Sequence, residues 1–229
     1  MSLNDRSNVL VTGGTGALGT AICRRLLSEG CAVHVTWVSE AQRDSFALSD
    51  HCTLHQVDLT NEAAVTELFR RLGTLWGSIH VAGGFAMGPV EAMSLADFES
   101  MFQLNAVSAF LCCREAVRVM RQEGGGGRIV NVGARPAVEP VGGMLAYTTS
   151  KAAVTSLTQC LAKEVIEDSI LVNAILPSIM DTPANRAGMP DADFDAWPTV
   201  DEVAETIAWL ASPENTLTTG ALVPVYGRS

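Results

Sequence analysis

Short, almost wholly apolar runs alternate along this chain with longer stretches in which apolar residues recur every three to four positions. The runs Val9 to Thr12, Val33 to Val38, Thr53 to Val57, Ile79 to Ala82, Arg128 to Val132, Leu171 to Leu176 and Ala221 to Val225 read as strands. Between them, Ala17 to Glu29 has helical periodicity through Ala21, Ile22, Leu26 and Leu27 and stops at Gly30, a C-cap signal. Thr60 or Asn61 caps a helix over Glu62 to Leu72. A long helix over Ala96 to Gln122, broken near its start, a helix around residues 147–151 and one over Val200 to Ala211 complete the set. Gly124 to Gly127 join a helix to a strand and therefore form a surface loop rather than a domain boundary. Strand–helix alternation throughout predicts one α/β domain over residues 1–229. Its core is a doubly wound parallel sheet of about seven strands with helices on both faces, where right-handed crossovers place them. The stretch from Pro177 to Pro198 is read as irregular.

Composition narrows the function classes. With 48% hydrophobic and 17% charged residues the chain is globular, and its net charge of -10 argues against nucleic acid, whose phosphates need clustered Lys and Arg. The acidic cluster of Asp191, Asp193 and Asp195 with Asp201, Glu202 and Glu205 reads as a solvated loop and helix start, not a metal site. Cys23, Cys31, Cys52, Cys112, Cys113 and Cys160 include no C-x-x-C, and no His stands near them at zinc-ligand spacing; they are read as reduced thiols of a cytoplasmic protein. No run of 18 apolar residues exists, and Met1 to Arg6 carry no apolar leader, so no membrane association and no secretion are expected.

Two motifs carry the chemistry. Val9 to Gly19 read as a buried strand running into a glycine turn that opens a helix. Gly13, Gly16 and Gly19 permit a tight turn, close approach of a pyrophosphate and close helix–strand packing, and the helix N-terminus offers free N–H groups to anionic oxygens. About 130 residues on, Tyr147 and Lys151 stand at i and i+4 on one helix face, where an ammonium can lower the phenol's pKa and make it a usable proton donor. Together they point to a nucleotide-dependent redox enzyme. The second strand should end in a ribose-binding carboxylate, yet Trp37 stands there between Thr36 and Val38, with Glu40 and Arg43 close by. The missing carboxylate leaves NAD and NADP both open and tips the choice toward NADP.

Over essentially its whole length the chain resembles the short-chain dehydrogenase/reductase family. The resemblance rests on Thr12 to Gly19, Asp58-Leu59, Val81-Ala82-Gly83-Gly84, Asn105, Tyr147 with Lys151, and Pro177 with Thr182. It implies a Rossmann-type sheet and hydride transfer from a nicotinamide cofactor, with Tyr147 as proton donor, Lys151 holding the nicotinamide ribose and depressing the tyrosine pKa, and Asn105 ordering a water in a proton relay. It also implies cofactor contacts at Gly13, Thr15, Gly16, Leu18, Gly19, Trp37, Asp58, Leu59, Ala82, Gly83, Gly84, Pro177 and Thr182. Residues 177–200 would be a substrate-covering loop, with Phe194 and Trp197 in it. A small-molecule substrate and pairing as a homodimer or homotetramer, through the helices containing Asn105 and Tyr147, are further implications.

Three departures from the commonest family pattern stand out. The glycines are spaced Gly-x-x-Gly-x-x-Gly, the usual Asn-Asn-Ala-Gly is His80-Val81-Ala82-Gly83, and the serine expected thirteen residues before the tyrosine is Ala134. That serine ordinarily donates to a developing oxyanion; loss of one such donor costs about 10²–10³ in turnover. Thr149 and Ser150 have the wrong spacing to replace it, and Ser178 is the candidate substitute. All three departures occur together in the dihydropteridine reductase branch, which the chain also resembles in Val81 to Phe85, in Leu176-Pro177 with Met180 to Arg186, and in Met189 to Trp197. The readings that follow are a reductase of a conjugated, pterin-like C=N or C=O acceptor, a general carbonyl reductase or alcohol dehydrogenase with a weakened oxyanion site, and a non-catalytic nucleotide-binding sensor. Arg135 is read as pointing to water, His80 as a packing residue, and His34, His51 and His55 as surface or sheet-face residues.

Overall fold

The apolar runs do form a parallel sheet. A computed structural model describes residues 7–229, so the expectation placed on Met1 to Arg6 lies outside the described residues. Seven parallel strands, β1 (Asn8–Thr12), β2 (Ala32–Trp37), β3 (Thr53–Gln56), β4 (Gly77–His80), β5 (Gly127–Val132), β6 (Ile170–Pro177) and β7 (Leu222–Val225), stand in the order β3-β2-β1-β4-β5-β6-β7. Every residue of β4, β5 and β6 is buried, including the polar Ser78, His80, Arg128, Asn131 and Asn173.

Alternate side chains of β1 feed the two core layers. Val9 and Val11 pack with Ile22 and Leu26 of α1 (Ala17–Ser28) and with Val203 and Ile207 of α8 (Val200–Ala211). Leu10 points the other way, to Leu68 and Phe69 of α3 (Glu62–Leu72) and Leu111 and Cys112 of α5 (Ser108–Glu123). The short α2 (Glu40–Asp44) follows β2, α4 (Leu95–Phe102) precedes α5, α6 (Leu145–Glu164) carries Tyr147 and Lys151, and α7 (Pro183–Gly188) follows β6.

Side-chain caps set several helix starts. The Asn61 Oδ1 accepts from the Ala64 N–H at 3.1 Å and starts α3 where the sequence placed it. Thr199 and Glu202 form a reciprocal capping box at the start of α8.

Two sequence expectations need correction, the expected helix break takes a specific form, and one helix was not expected. β4 ends at His80, two residues early, because Val81 and Ala82 turn out of the sheet toward the glycine turn, where the Ala82 N–H donates to the Thr12 hydroxyl at 3.2 Å. The stretch after Pro177 is not wholly irregular: Thr182 caps α7 through the Asn185 N–H, and Phe194–Ala196 form a 3-10 turn. The break in the long helix is a π-turn over Gln103–Val107, with Asn105 at its centre. Finally, α2 was missed; it is only five residues long with no buried face, so it has no apolar periodicity to read.

Candidate active site

The strand order reverses between β1 and β4, and a crevice opens there beyond the carboxyl ends of the strands, where doubly wound sheets bind ligands. The cleft, about 460 Å³, is lined by Gly13, Thr15, Gly16, Leu18 and Gly19 of the glycine turn, Trp37 at the end of β2, Asp58 and Leu59 after β3, Ala82 and Gly83 after β4, and Thr182. Gly84, Asn105, Tyr147, Lys151 and Pro177 are not in its lining. The catalytic candidates adjoin it through Gly83, where a Cβ would lie 2.4 Å from Asn105 Oδ1 and 3.3 Å from Lys151 Nζ.

The glycine turn is a backbone cradle. Gly13 has φ +62°, and a Cβ there would sit 3.0 Å from the Ala82 backbone; one on Gly19 would sit 2.4 Å from the Gly13 carbonyl. The Gly13 N–H donates to Thr36 Oγ1 at 3.1 Å, tying the turn to β2. α1 begins at Gly16 with no side-chain cap, so its first N–H groups face the cleft without a protein acceptor. A side-chain-free cradle with uncapped donors fits the pyrophosphate of a dinucleotide.

At the adenosine end, Trp37 is buried, and the guanidinium of Arg43 lies 5.1 Å from its ring centroid. Arg43 also pairs with Asp44 at 2.6 Å. The Asp58 carboxylate accepts from the Thr60 N–H at 2.9 Å and hydroxyl at 2.7 Å, which hold its pKa below the ordinary carboxylate range. Sequence reading missed Gln42, Leu104, Ser108, Met180 and Asn185 in the cleft wall. Gln42 lies on the unpredicted α2, and Leu104 and Ser108 are presented by the π-turn and its end, neither of which has a motif to find.

Asn105 is fully enclosed, and its side chain is spent on protein groups. Oδ1 accepts from the Gly84 N–H at 2.9 Å, while Nδ2 donates to the Gly84 carbonyl at 3.1 Å and to Ser150 Oγ at 3.0 Å. Any water ordered at Asn105 is therefore held by main chain at the π-turn rather than by the amide.

Lys151 is buried and donates from Nζ to the Val132 carbonyl at 2.7 Å, one residue before the strand leaves the sheet toward Ala134. Burial lowers its pKa to about 8 and raises that of Tyr147 to about 12. Desolvation of the phenol is the cause of the Tyr147 shift, and the ammonium is hydrogen-bonded to the Val132 carbonyl.

Ala134 is buried at 3% exposure. The three hydroxyls weighed as replacements for the missing serine are engaged: Thr149 donates to the Leu145 carbonyl, Ser150 to that of Tyr147 and Ser178 to that of Tyr226, at 2.8 Å each; the Thr148 hydroxyl, one residue after Tyr147, is buried without a partner. The candidate Ser178 is therefore already engaged, and it also accepts from Ser229 Oγ. Arg135 does not simply point to water; it pairs with Glu139 at 2.8 Å, donates to the Ser229 carbonyl at 2.6 Å and lies over the Tyr226 ring at 4.7 Å. His80 is a packing residue as read, bonded to Ser78 Oγ and Asn131 Oδ1 at 2.8 Å each.

A dinucleotide cradle at a sheet switch point, with a tyrosine–lysine pair beside it, defines a nicotinamide-dependent oxidoreductase. The short chain dehydrogenase family matches residues 7–192, and this chain belongs to that family. It is 31% identical over 228 residues to the cyclic-di-GMP-binding biofilm dispersal mediator protein of Escherichia coli, covering 96% of this chain and 95% of that protein. It is 32% identical over 189 residues to the 3-beta-hydroxysteroid dehydrogenase of Comamonas testosteroni, covering 79% and 74%. The structure of ElxO with NADP bound superposes with a TM-score of 0.87 at 23% identity, over 96% of this chain and 97% of that one, a likeness of fold. Among the described residues no helix is long and apolar enough to cross a membrane.

Proposed function

We propose that this chain is an NADPH-preferring reductase of conjugated C=N or C=O acceptors of the pterin-like kind, with Tyr147 as the proton donor. The observation that carries the reading is the buried methyl of Ala134 where the family's serine is expected, with the hydroxyls of Thr149, Ser150 and Ser178 each donating to a backbone carbonyl. Hydride addition to an isolated ketone concentrates charge on one oxygen and calls for a donor there. A conjugated, electron-poor ring spreads that charge and needs one donor less.

The cofactor, when bound, supplies hydride from the nicotinamide ring. The glycine turn and the N–H groups of α1 would hold its pyrophosphate, and Trp37, Asp58 and Leu59 would border its adenosine. Tyr147, still protonated at neutral pH, gives its phenolic proton to the acceptor nitrogen or oxygen. Lys151, an ammonium below about pH 8, offsets the phenolate that forms and, from its place beside Gly83, would hold the ribose hydroxyls. Reprotonation runs from Lys151 through water held at the Asn105 main chain. Residues 177–200, including α7, cover the acceptor, and Phe110 on α5, exposed at 46%, suits a subunit contact in a homodimer or homotetramer.

A second reading, a nucleotide-binding regulator without turnover, draws on the name of the Escherichia coli relative, a cyclic-di-GMP-binding protein. Enclosure of Asn105 and Lys151 beside Tyr147 favours catalysis over it. Oxidation of NADPH and NADH at 340 nm, with quinonoid dihydropterin, simple ketones and quinones, separates the two. Turnover with conjugated acceptors that disappears in Tyr147→Phe while cofactor binding remains supports the reductase. Preference for simple ketones overturns the conjugated-acceptor reading, and tight cofactor binding without any turnover favours the regulator.

A further inference from the structure

We propose that Phe85 is the specificity-determining residue of the acceptor site, an aromatic wall against which a neutral, planar conjugated acceptor lies. The inference rests on the reductase reading and deepens it by naming what the site selects. The Phe85 ring lies 5.0 Å from that of Tyr147 at an interplanar angle of 77°, an edge-to-face contact with the proton donor itself. Phe85 nevertheless remains 58% exposed.

Its backbone is fixed on one side. Gly84 is clamped by both amide atoms of Asn105, and a Cβ on Gly84 would lie 3.0 Å from Leu104 and 3.2 Å from Met101. The same asparagine that braces the catalytic helix thus also sets where Phe85 stands. A single exposed apolar residue needs no explanation, but Phe85 has company. Met87 on the same loop is 65% exposed and Val141 on the loop before α6 is 53% exposed. The two loops are joined by the Gly88 N–H donating to the Gly143 carbonyl at 2.7 Å. An apolar mouth of this kind beside a catalytic group marks a ligand-binding surface.

Arg135, adjacent to Ala134, is engaged by Glu139, the Ser229 carbonyl and the Tyr226 ring. Selection by ring planarity and apolar surface remains, and it agrees with the absence of a hydroxyl at Ala134.

Two α-dicarbonyls with the same reacting group test this: 9,10-phenanthrenequinone, planar and aromatic, and 2,3-butanedione, which has no ring. With NADPH, the ratio of kcat/KM for the quinone over the dione should fall at least tenfold in both Phe85→Ala and Phe85→Leu and recover in Phe85→Tyr. An unchanged ratio, or a fall in the alanine variant with none in the leucine variant, overturns the aromatic wall. Binding of the quinone to the NADP-loaded protein, followed by tryptophan quenching, is the second readout and needs no turnover. If the wild-type protein reduces neither compound but quinone affinity still drops tenfold in both variants, the wall stands and the reductase reading falls. If the wild type turns over and the variants match it in both readouts, the wall falls alone.

Discussion

The side-chain amide of Asn105 donates to the hydroxyl of Ser150 at 3.0 Å, and that hydroxyl donates to the carbonyl of Tyr147 at 2.8 Å. Ser150 therefore bridges the π-turn to the helix turn that carries both Tyr147 and Lys151, and it is wholly buried. Ser150→Ala leaves one Asn105 N–H without a partner and frees that turn to shift. A displacement of about 1 Å at a catalytic group costs on the order of 10²-fold, and a single lost hydrogen bond permits part of that. The expected outcome is a fall in kcat of about tenfold with little change in NADPH affinity. Steady-state kinetics beside a cofactor titration check it; equal losses in both would mean that the bridge only supports the fold.

The His80 imidazole is fully enclosed between Ser78 and Asn131, and Asn131 donates onward to Thr158 Oγ1 at 2.9 Å, so the network spans β4, β5 and α6. Since Asn131 Oδ1 accepts, Nδ1 carries the proton and Nε2 accepts from Ser78. Burial lowers the pKa from 6.5 to about 4. Between those values the unfolded chain binds a proton that the folded chain does not, so stability rises with pH there. The contribution is fully present above pH 6.5 and is lost progressively as pH falls toward 4, a span worth roughly 3 kcal/mol. His34 and His55, also lowered by burial, act in the same direction. Urea unfolding at pH 7 and pH 4.5 should show a smaller pH effect in His80→Asn than in the wild type; equal effects would place the proton elsewhere.

What the sequence makes legible follows from where the physics is local. The strands of the sheet and the starts of α3 and α8 depend on burial on both faces and on adjacent capping residues, which a linear pattern records. The glycine turn was readable because backbone geometry dictates residue type at Gly13 and Gly19. The commitment of Ser178 was not readable, since its partner is the Tyr226 carbonyl 48 residues away, and backbone acceptors leave no residue-type signature. Equally hidden was the direction of the Tyr147 shift. Spacing i to i+4 puts Lys151 on the same helix face, but only the fold reveals that its ammonium turns to Val132.

Arg43 lies over Trp37, which lines the cleft at the end of β2, and follows Gln42 of the cleft wall, so it is the candidate cation for a ribose 2′-phosphate. Its guanidinium can exchange the Asp44 pair, largely open to solvent, for a phosphate with stronger charge-assisted bonds. Arg43→Ala is expected to raise the KM for NADPH by about fivefold to tenfold and to leave NADH nearly unaffected, with the difference shrinking in high salt. An equal change for both cofactors would remove Arg43 from phosphate recognition.

Lys151 titrates within the working range because burial holds its pKa near 8. The ammonium is the charged form, so its help to Tyr147 and to the ribose is present below pH 8 and is lost as pH rises through it. Tyr147, at about 12, stays protonated throughout and imposes no limb there. The value of kcat/KM for NADPH, which reports the free enzyme, should therefore decline above about pH 8. In Lys151→Arg, where the charge persists, the residual activity should stay flat through pH 9; a limb at the same pH would assign the titration to another group.

Ala134 has an extended backbone, φ -165° and ψ 151°, which serine adopts as readily as alanine, so a hydroxyl can be restored there without strain. Its value depends on the acceptor. A simple ketone concentrates charge on one oxygen, and an added donor is worth up to about 10²–10³ in turnover. A conjugated ring disperses that charge, and the same donor gains little while adding a buried polar group that must find a partner between turnovers. Ala134→Ser should accordingly raise kcat on simple ketones by about tenfold or more and change it by less than about threefold on quinones or a quinonoid pterin. Reversal of the acceptor preference would locate the selectivity of this enzyme at one methyl group. No gain on any ketone would mean that the missing oxyanion donor is not what limits it.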